Sequence, residues 1–404
     1  MDLIRFRIIG HPAIPNTPWL KVGKGLNIIK AVDAERAKSL LKMLQAINPP
    51  YDFRQIDPFQ DLPQFISGNP HPRKIIPSKK TAAIAIFTAP ISLVKELVAI
   101  DPAFFEINQI EFGRRRDHSR WINFIELSNA TRWSEIESGI RGMLSRVGPD
   151  AVSAVERFQN TVAHLCSADR IKGKTAVDLR ERLEELQPFL LGSDQAHLQQ
   201  CVNAVGRAEH FQQAKEIVED RIPLFLSVTS SLSGCPFNKT DNTLSDAVNS
   251  ALFDLLIKPQ RGKDHADEVS LQQRLQQVNL NLRTKNSVLT PHFRLEGSSI
   301  VLEGMQNSAA ISLAELQPIY RLEVLLPALA ALHRELYGND PIFLLDISEI
   351  QFKRQELNDL SRLLLGYSAK GQILVVPDSS FLALCLDTAS NNERHPATII
   401  ELLQ

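Results

Sequence analysis

The chain has 404 residues, with 44% hydrophobic and 23% charged side chains and a formal net charge of −1. This composition excludes a disordered or low-complexity polypeptide and leaves room for two domains, or for one domain carrying a large insertion. The near-neutral balance argues against a whole-surface nucleic-acid binder, though not against a local basic face.

Leu3–Ile9 alternates apolar and basic residues as a half-buried strand does, and Gly10 to Pro18 is turn-like. Leu26–Ile29 predicts the next strand. Ala34–Ile47 has helical spacing and stops at Asn48-Pro49-Pro50. Residues 48–78, rich in Pro, Asp, Gln and Asn, predict a long irregular loop. Thr81–Thr88 reads as a strand and Ile91–Ile100 as a short helix or strand. Phe105–Phe112 and Trp121–Leu127 alternate and flank Gly113-Arg114-Arg115-Arg116-Asp117-His118, which has the form of a hairpin connection. These strands together predict an antiparallel sheet.

From Thr131 to about Lys285 the texture is polar and helical, most clearly over Leu179–Leu191, Ala196–Arg221 and Leu271–Leu282. Pro188, Pro223, Pro236 and Pro259 interrupt any heptad pattern, so a short helical subdomain is expected in place of a rod, with Ser230–Asn242 as its apex loop. Beyond it, Phe293–Leu295 and Ile300–Leu302 predict a hairpin around Gly297, and Leu316–Leu336 a long helix with a kink at Pro327. A strand at Phe343, a helix over Gln355–Leu365 and a strand at Ile373 then follow in a wound α/β pattern.

Cys166, Cys201, Cys235 and Cys385 contain no C-x-x-C pair and predict reduced thiols of a cytoplasmic protein. The ten histidines are scattered and supply no spaced ligand set. No signal-like h-region and no apolar run of about 18 residues is visible, so no membrane segment is expected.

Three segments carry candidate chemistry. Val32–Ser39 follows a strand and opens a helix with the outline of a phosphate-binding loop, G-x-x-x-x-G-K-[ST], in which Lys38 and Ser39 keep the last two places while Val32 and Ala37 replace the glycines. Pro341–Asp346 is an apolar strand that delivers a carboxylate at its tip, the design that holds Mg²⁺ in nucleoside triphosphatases. Ile311–Gln317 precedes the long helix, and Gln372–Phe381 is a second buried strand with a polar tip. The plainer alternatives are that Lys38 and Ser39 lie in the exposed first turn of an ordinary helix, and that Asp346 caps a turn, with Ser348 and Glu349 competing for that role. Arg114, Arg115 and Arg116 are candidates for contact with nucleic-acid phosphates, or simply a solvated hairpin tip.

In this order and at these intervals the segments resemble the ATPase heads of the RecF and SMC family of ABC-type ATPases, over residues 1–45 and 290–390. The resemblance implies a P-loop NTPase-like α/β head with an antiparallel β lobe, its halves at 1–130 and 290–404, and a helical insertion at 131–289. It places Lys38 on the Walker A lysine, Ser39 on the Mg²⁺ hydroxyl, Ser312 on the signature serine and Asp346 on the Walker B aspartate. It also exposes losses: Ala314 replaces the signature glycine, Ile347 the catalytic glutamate, and Asp378 the switch histidine. Isoleucine cannot orient an attacking water, and Asp33 and Glu35 place negative charge beside the anion site. The expected protein is a pseudo-ATPase: a non-catalytic subunit of a DNA-linked complex, as in repair or antiphage defence. Lys38, Ser39 and Ser312 would form its vestigial ATP site, and Asp346 with Ser39 its vestigial Mg²⁺ site. Its partner would be a competent ATPase, a nuclease or a second copy through the head, with DNA as a further ligand. An active divergent ATPase and an adaptor binding neither nucleotide nor DNA are the alternatives.

Overall fold

The computed structural model describes residues 1–14, 16–50, 53, 57–59, 79–228, 268–282, 289–296, 299–307, 309–348, 350, 352–393 and 396–402. The expected apex loop at 230–242, Cys235 and most of the 48–78 loop lie outside them. The chain divides into two compact units, the first comprising residues 1–88, 111–121 and 221–404 and the second residues 89–110 and 122–220.

The first unit is built on a five-stranded parallel sheet. Its strands are β3 (Leu26–Lys30), β7 (Phe225–Val228), β11 (Ile342–Asp346), β12 (Ile373–Val376) and β13 (Thr398–Glu401), in the order β13-β3-β12-β11-β7. β11 and β12 are buried at every position, as strands covered on both faces must be, so their sequences run apolar without alternation. β3, β11 and β12 therefore share one sheet although some three hundred residues separate β3 from β11 in sequence. The long helix Pro318–Tyr337 supplies much of the core, with Leu322, Leu326 and Leu332 fully buried.

A second sheet joins β1 (Leu3–Ile8), β2 (Leu20–Lys21), β4 (Thr81–Thr88), β5 (Gln109–Arg115) and β6 (Arg120–Phe124) in the order β2-β1-β4-β5-β6, with β1 antiparallel to both neighbours. β8 (Thr290–Glu296), β9 (Ser299–Gln306) and β10 (Ala309–Ser312) form an antiparallel triplet. Gln372 pins β1 to the parallel sheet: its Nε2 donates to the carbonyls of Leu3 and Gly23, and its Oε1 accepts from the Leu3 N–H at 2.7 Å. Asn27 does the same within β3, donating to the Gly25 and Ile373 carbonyls while accepting from the Gly23 N–H.

In the second unit, four helices, α3 (Trp133–Leu144), α4 (Val152–Val162), α5 (Lys174–Leu186) and α6 (Ser193–Glu219), close on Trp133, Ile140, Phe158, Leu179, Leu183 and Val205. The helical segment expected at 131–289 thus departs from its sequence boundaries. Residues 89–110 and 122–130 join the second unit, while Phe225–Val228 returns to the parallel sheet and the helix Glu268–Asn281 belongs to the first unit. Phe225-Leu226-Ser227-Val228 lies two residues after Pro223 and its apolar run is broken by Ser227, yet Phe225 and Leu226 are fully buried. The segment expected as a strand from Phe105 begins instead as a 3-10 turn over Pro102–Glu106, because Asp101 caps the Ala103 N–H. No described helix is long and apolar enough to cross a membrane.

Candidate functional site

The C-terminal ends of β3, β11 and β12 open on one side of the parallel sheet into a cleft of about 330 Å³, walled by residues 29–34 and Ala37, by Ser348, and by residues 376–380 and Ala383. Ligands of wound α/β sheets bind at this edge. The segment preceding Lys38 and the polar tip after β12 therefore line the same cleft.

The first segment meets it in an altered form. In a phosphate-binding loop the helix opens at the lysine, leaving the preceding residues to wrap the phosphates. Here the helix α1 spans Ala34–Gln45. Ala34, Glu35, Arg36 and Ala37, which would be loop, form its first turn and fill about 6 Å of axial length that phosphates would need. Asp33 is the N-cap, in extended conformation, and its Oδ1 accepts from the Arg36 N–H at 2.7 Å. Arg36 Nε lies 3.5 Å from the second carboxylate oxygen. The chain's own carboxylate thus occupies the electropositive end of the helix where an anion would sit. Lys38 is exposed and Ser39 half-buried, both a turn along the helix, and neither lines the cleft.

Asp346 ends β11, in register with Val376, and is 4% exposed. Its Oδ1 accepts from both the N–H of Ser348, at 3.1 Å, and the Ser348 hydroxyl, at 2.6 Å, closing a turn after the strand. Ser348, not Asp346, lines the cleft. Ile347 is fully buried and donates its N–H to the Val376 carbonyl, so the position that should aim a glutamate at water points into the core. On the opposite wall the helix Ser380–Asn392 is capped by Ser379, whose hydroxyl accepts from the Leu382 N–H and donates to Asp378 at 2.8 Å. Each of the two helix starts at the cleft is therefore capped by a side chain of the chain itself. Its charged lining is Lys30, Asp33 and Asp378, a net negative set.

Ser312 lies at the end of β10, paired with Glu303, and is exposed. A 3-10 turn over Leu313–Glu315 separates it from the helix that starts only at Pro318. It does not stand at a helix N-terminus, which is where a serine could present a phosphate-binding end. Among the described residues no group of three or more His, Cys, Asp or Glu converges as a metal site.

The arginine triplet separates into three situations. Arg114 is within β5, not in the turn, and is 1% exposed. Its guanidinium donates to the carbonyls of Ala46, Ile47 and His118, the two Nη contacts at 2.7 Å, and lies 4.7 Å from the Phe53 ring centroid. It caps the C-terminal end of α1 and cannot reach a nucleic-acid phosphate. Arg115 is half-buried and donates to Ser119 Oγ. Arg116 donates to the Gly10 carbonyl, and burial lowers its pKa.

His333, within the long helix, is fully buried and plays the structural part expected of a histidine on a helix. Its Nδ1 donates to the Asn339 carbonyl at 2.7 Å and its Nε2 accepts from the Leu224 N–H at 3.2 Å, an arrangement that requires the neutral ring. Burial pushes its pKa down to about 4. It fastens the long helix to the start of β7 and takes no part in the cleft.

No protein-family model and no curated protein matches the chain. Among solved structures it is similar to an Smc head domain with a coiled coil and joint from Pyrococcus yayanosii, at 10% identity and a TM-score of 0.39, covering 96% of this chain and 94% of that one. It is also similar to an Smc head bound to the C-winged helix domain of ScpA (9%, 0.37, 96% and 93%) and to the SMC head domain from Thermotoga maritima (11%, 0.32, 96% and 93%).

Proposed function

We propose that the chain is a degenerate ATPase-like head of the SMC and RecF type that neither holds nor hydrolyses ATP and serves as a non-catalytic subunit alongside a protein partner. The observation that carries this reading is the Asp33 cap: α1 starts where a phosphate loop should be, and a carboxylate fills the anion position. The burial of Ile347 supports it independently, because a glutamate there would have to ionise inside the core or rebuild the end of β11. Neither Lys38 nor Asp346 faces the cleft, which further supports the absence of a working Mg²⁺·ATP site. A DNA-linked setting, such as repair or antiphage defence, rests on the sequence resemblance alone and enters as part of the proposal.

The test is nucleotide response. Purified protein and Lys38→Ala should release phosphate from ATP at the same background rate, and millimolar Mg·ATP should leave the melting temperature of the full chain unchanged. A ligand at a hundredfold excess over its Kd would add about 2.7 kcal/mol and shift the transition by degrees. Turnover abolished by Lys38→Ala would establish a divergent active ATPase in place of this reading. A shift in melting temperature without turnover would establish a nucleotide-binding head.

A further inference from the structure

Phe6 and Ile8 are fully buried on the inner face of β1, so Arg5 and Arg7, which alternate with them, stand on the outer face of the antiparallel sheet. Lys21 of β2 lies directly opposite Arg5 and shares that face. Like charges so placed repel one another. Among the described residues no carboxylate pairs with any of the three. Arg5 has the Trp19 ring, its guanidinium carbon 5.1 Å from the centroid, and its Nε lacks an acceptor. Arg7 donates only to the Thr17 carbonyl, and Lys21 is exposed without a partner. A cluster of cations kept together without counter-ions attracts an anion from outside the chain.

The same face carries ring surface. On β5, Phe112 and Arg114 take the buried side and leave Glu111 and Gly113 on the outer one. Trp121 packs on Gly113, where a Cβ would run into its ring. Its Nε1 donates to Thr81 Oγ1 at 3.1 Å, so its one donor is engaged and what this half-buried side chain offers a ligand is ring. Ile84, half-buried and opposite Arg7, stands on β4 between β1 and β5. Arg5 and Arg7 are about 6.7 Å apart along β1, and Gly113 lies two strands away, about 10 Å. Three cations are few for a duplex, which also hides the faces of its bases, whereas an unpaired strand offers phosphates and flat rings together. An acidic polypeptide would satisfy the cations but makes no particular use of a ring whose donor is taken. We infer that this face binds single-stranded nucleic acid, its phosphates held by Arg5, Arg7 and Lys21 and a base laid across Ile84 onto Trp121. The assignment goes beyond the proposed function: the face belongs to a different sheet from the cleft and binds whether or not the cleft holds nucleotide.

The test is fluorescence anisotropy of the full chain with three labelled probes: an oligothymidylate of about twenty nucleotides, a duplex of equal length, and polyglutamate. The oligothymidylate should bind most tightly and quench tryptophan fluorescence, Trp133 being buried and unable to respond. Single strands contribute about −0.7 to the salt slope per phosphate, so three contacts give about −2, roughly a twentyfold loss of affinity between about 50 and about 200 mM salt. Lys21→Gln, at an exposed position, should reduce the slope by about 0.7 with the melting temperature unchanged. Trp121→Leu should weaken binding at least fivefold and leave the slope as it was. If that variant is less stable, quenching in the unsubstituted chain decides the stacking. No binding, absence of quenching, tighter binding of the duplex or of polyglutamate, or a slope unmoved by Lys21→Gln would overturn the inference. The nucleotide reading fails separately, by a shift in melting temperature with Mg·ATP.

Discussion

Replacing Arg114 by methionine should loosen α1 and the β5–β6 hairpin, and the structure sets the size of the effect. The guanidinium is the donor for the Ala46 and Ile47 carbonyls just beyond the end of α1, where helix carbonyls lack intrahelical partners, and for the His118 carbonyl in the turn. Ala46 and Ile47 are fully buried, so water cannot replace the donor. Two buried carbonyls left unpaired cost roughly 1–3 kcal/mol each, and the lost stack on Phe53 adds about 1 kcal/mol. Relief of the desolvated charge offsets part of this, leaving a net of about 3 kcal/mol. Because the two units need not unfold together, the assay should be local. Hydrogen exchange of peptides covering 37–47 and 109–121 should accelerate roughly a hundredfold in Arg114→Met, while Arg115→Ala changes them less than threefold. If Arg114→Met leaves exchange unaltered and instead weakens binding to duplex DNA, the residue is a phosphate contact after all and the assignment of its role here is wrong.

Two further outcomes follow from the same physics. Asp33→Ala should cost about 1 kcal/mol, a drop of roughly 2 °C in the first unit's thermal transition, from loss of the cap and its interaction with the helix end. It should also leave Mg·ATP without effect, because residues 34–37 stay helical, and nucleotide-dependent stabilisation of the variant would refute that. The second outcome concerns His333. Its folded pKa, about 4, lies below the ordinary value, so the unfolded chain takes up the proton first and the stability from the neutral ring is present above about pH 6.5 and lost as pH falls toward 4. The contribution is about 3 kcal/mol across that window. Nitrogen-resolved NMR should find this imidazole neutral at pH 5.5 with its proton on Nδ1; a ring titrating near 6.5 would contradict the geometry.

How much of this was legible in the sequence turns on which regularity each residue obeyed. The central strands were readable because burial on both faces leaves an unbroken apolar run, as in Phe343-Leu344-Leu345 and Ile373–Val376, whatever the distance along the chain. The sheet edges were not: in β7 Ser227 breaks the apolar run, and Thr398-Ile399-Ile400-Glu401 has only Ile400 buried to mark it. At the candidate site two readings of one segment competed. Helical spacing began α1 at Ala34, whereas the phosphate-loop outline required residues 34–37 to be loop; both could not hold. Asp33 three residues before Arg36 is an N-cap arrangement, and with no glycine at 32 or 37 nothing opposed the helix, so the local energetics prevailed over the template.

Arg114 follows the same logic. Three consecutive arginines look like a solvent-facing patch, but Ile110, Phe112 and Arg114 share parity along β5, and parity assigns all three to the buried face. A charge survives there only because the α1 terminus lies opposite with carbonyls to satisfy it, which is tertiary information that no local pattern carries. The two ends of α1 are thus held by opposite charges, Asp33 at its start and Arg114 at its finish, each complementing the helix dipole. In a working phosphate loop the N-terminal half of that complement is supplied by the ligand. A chain that supplies it from its own sequence stabilises the empty state, and any nucleotide would first have to displace Asp33 and unwind a turn of helix.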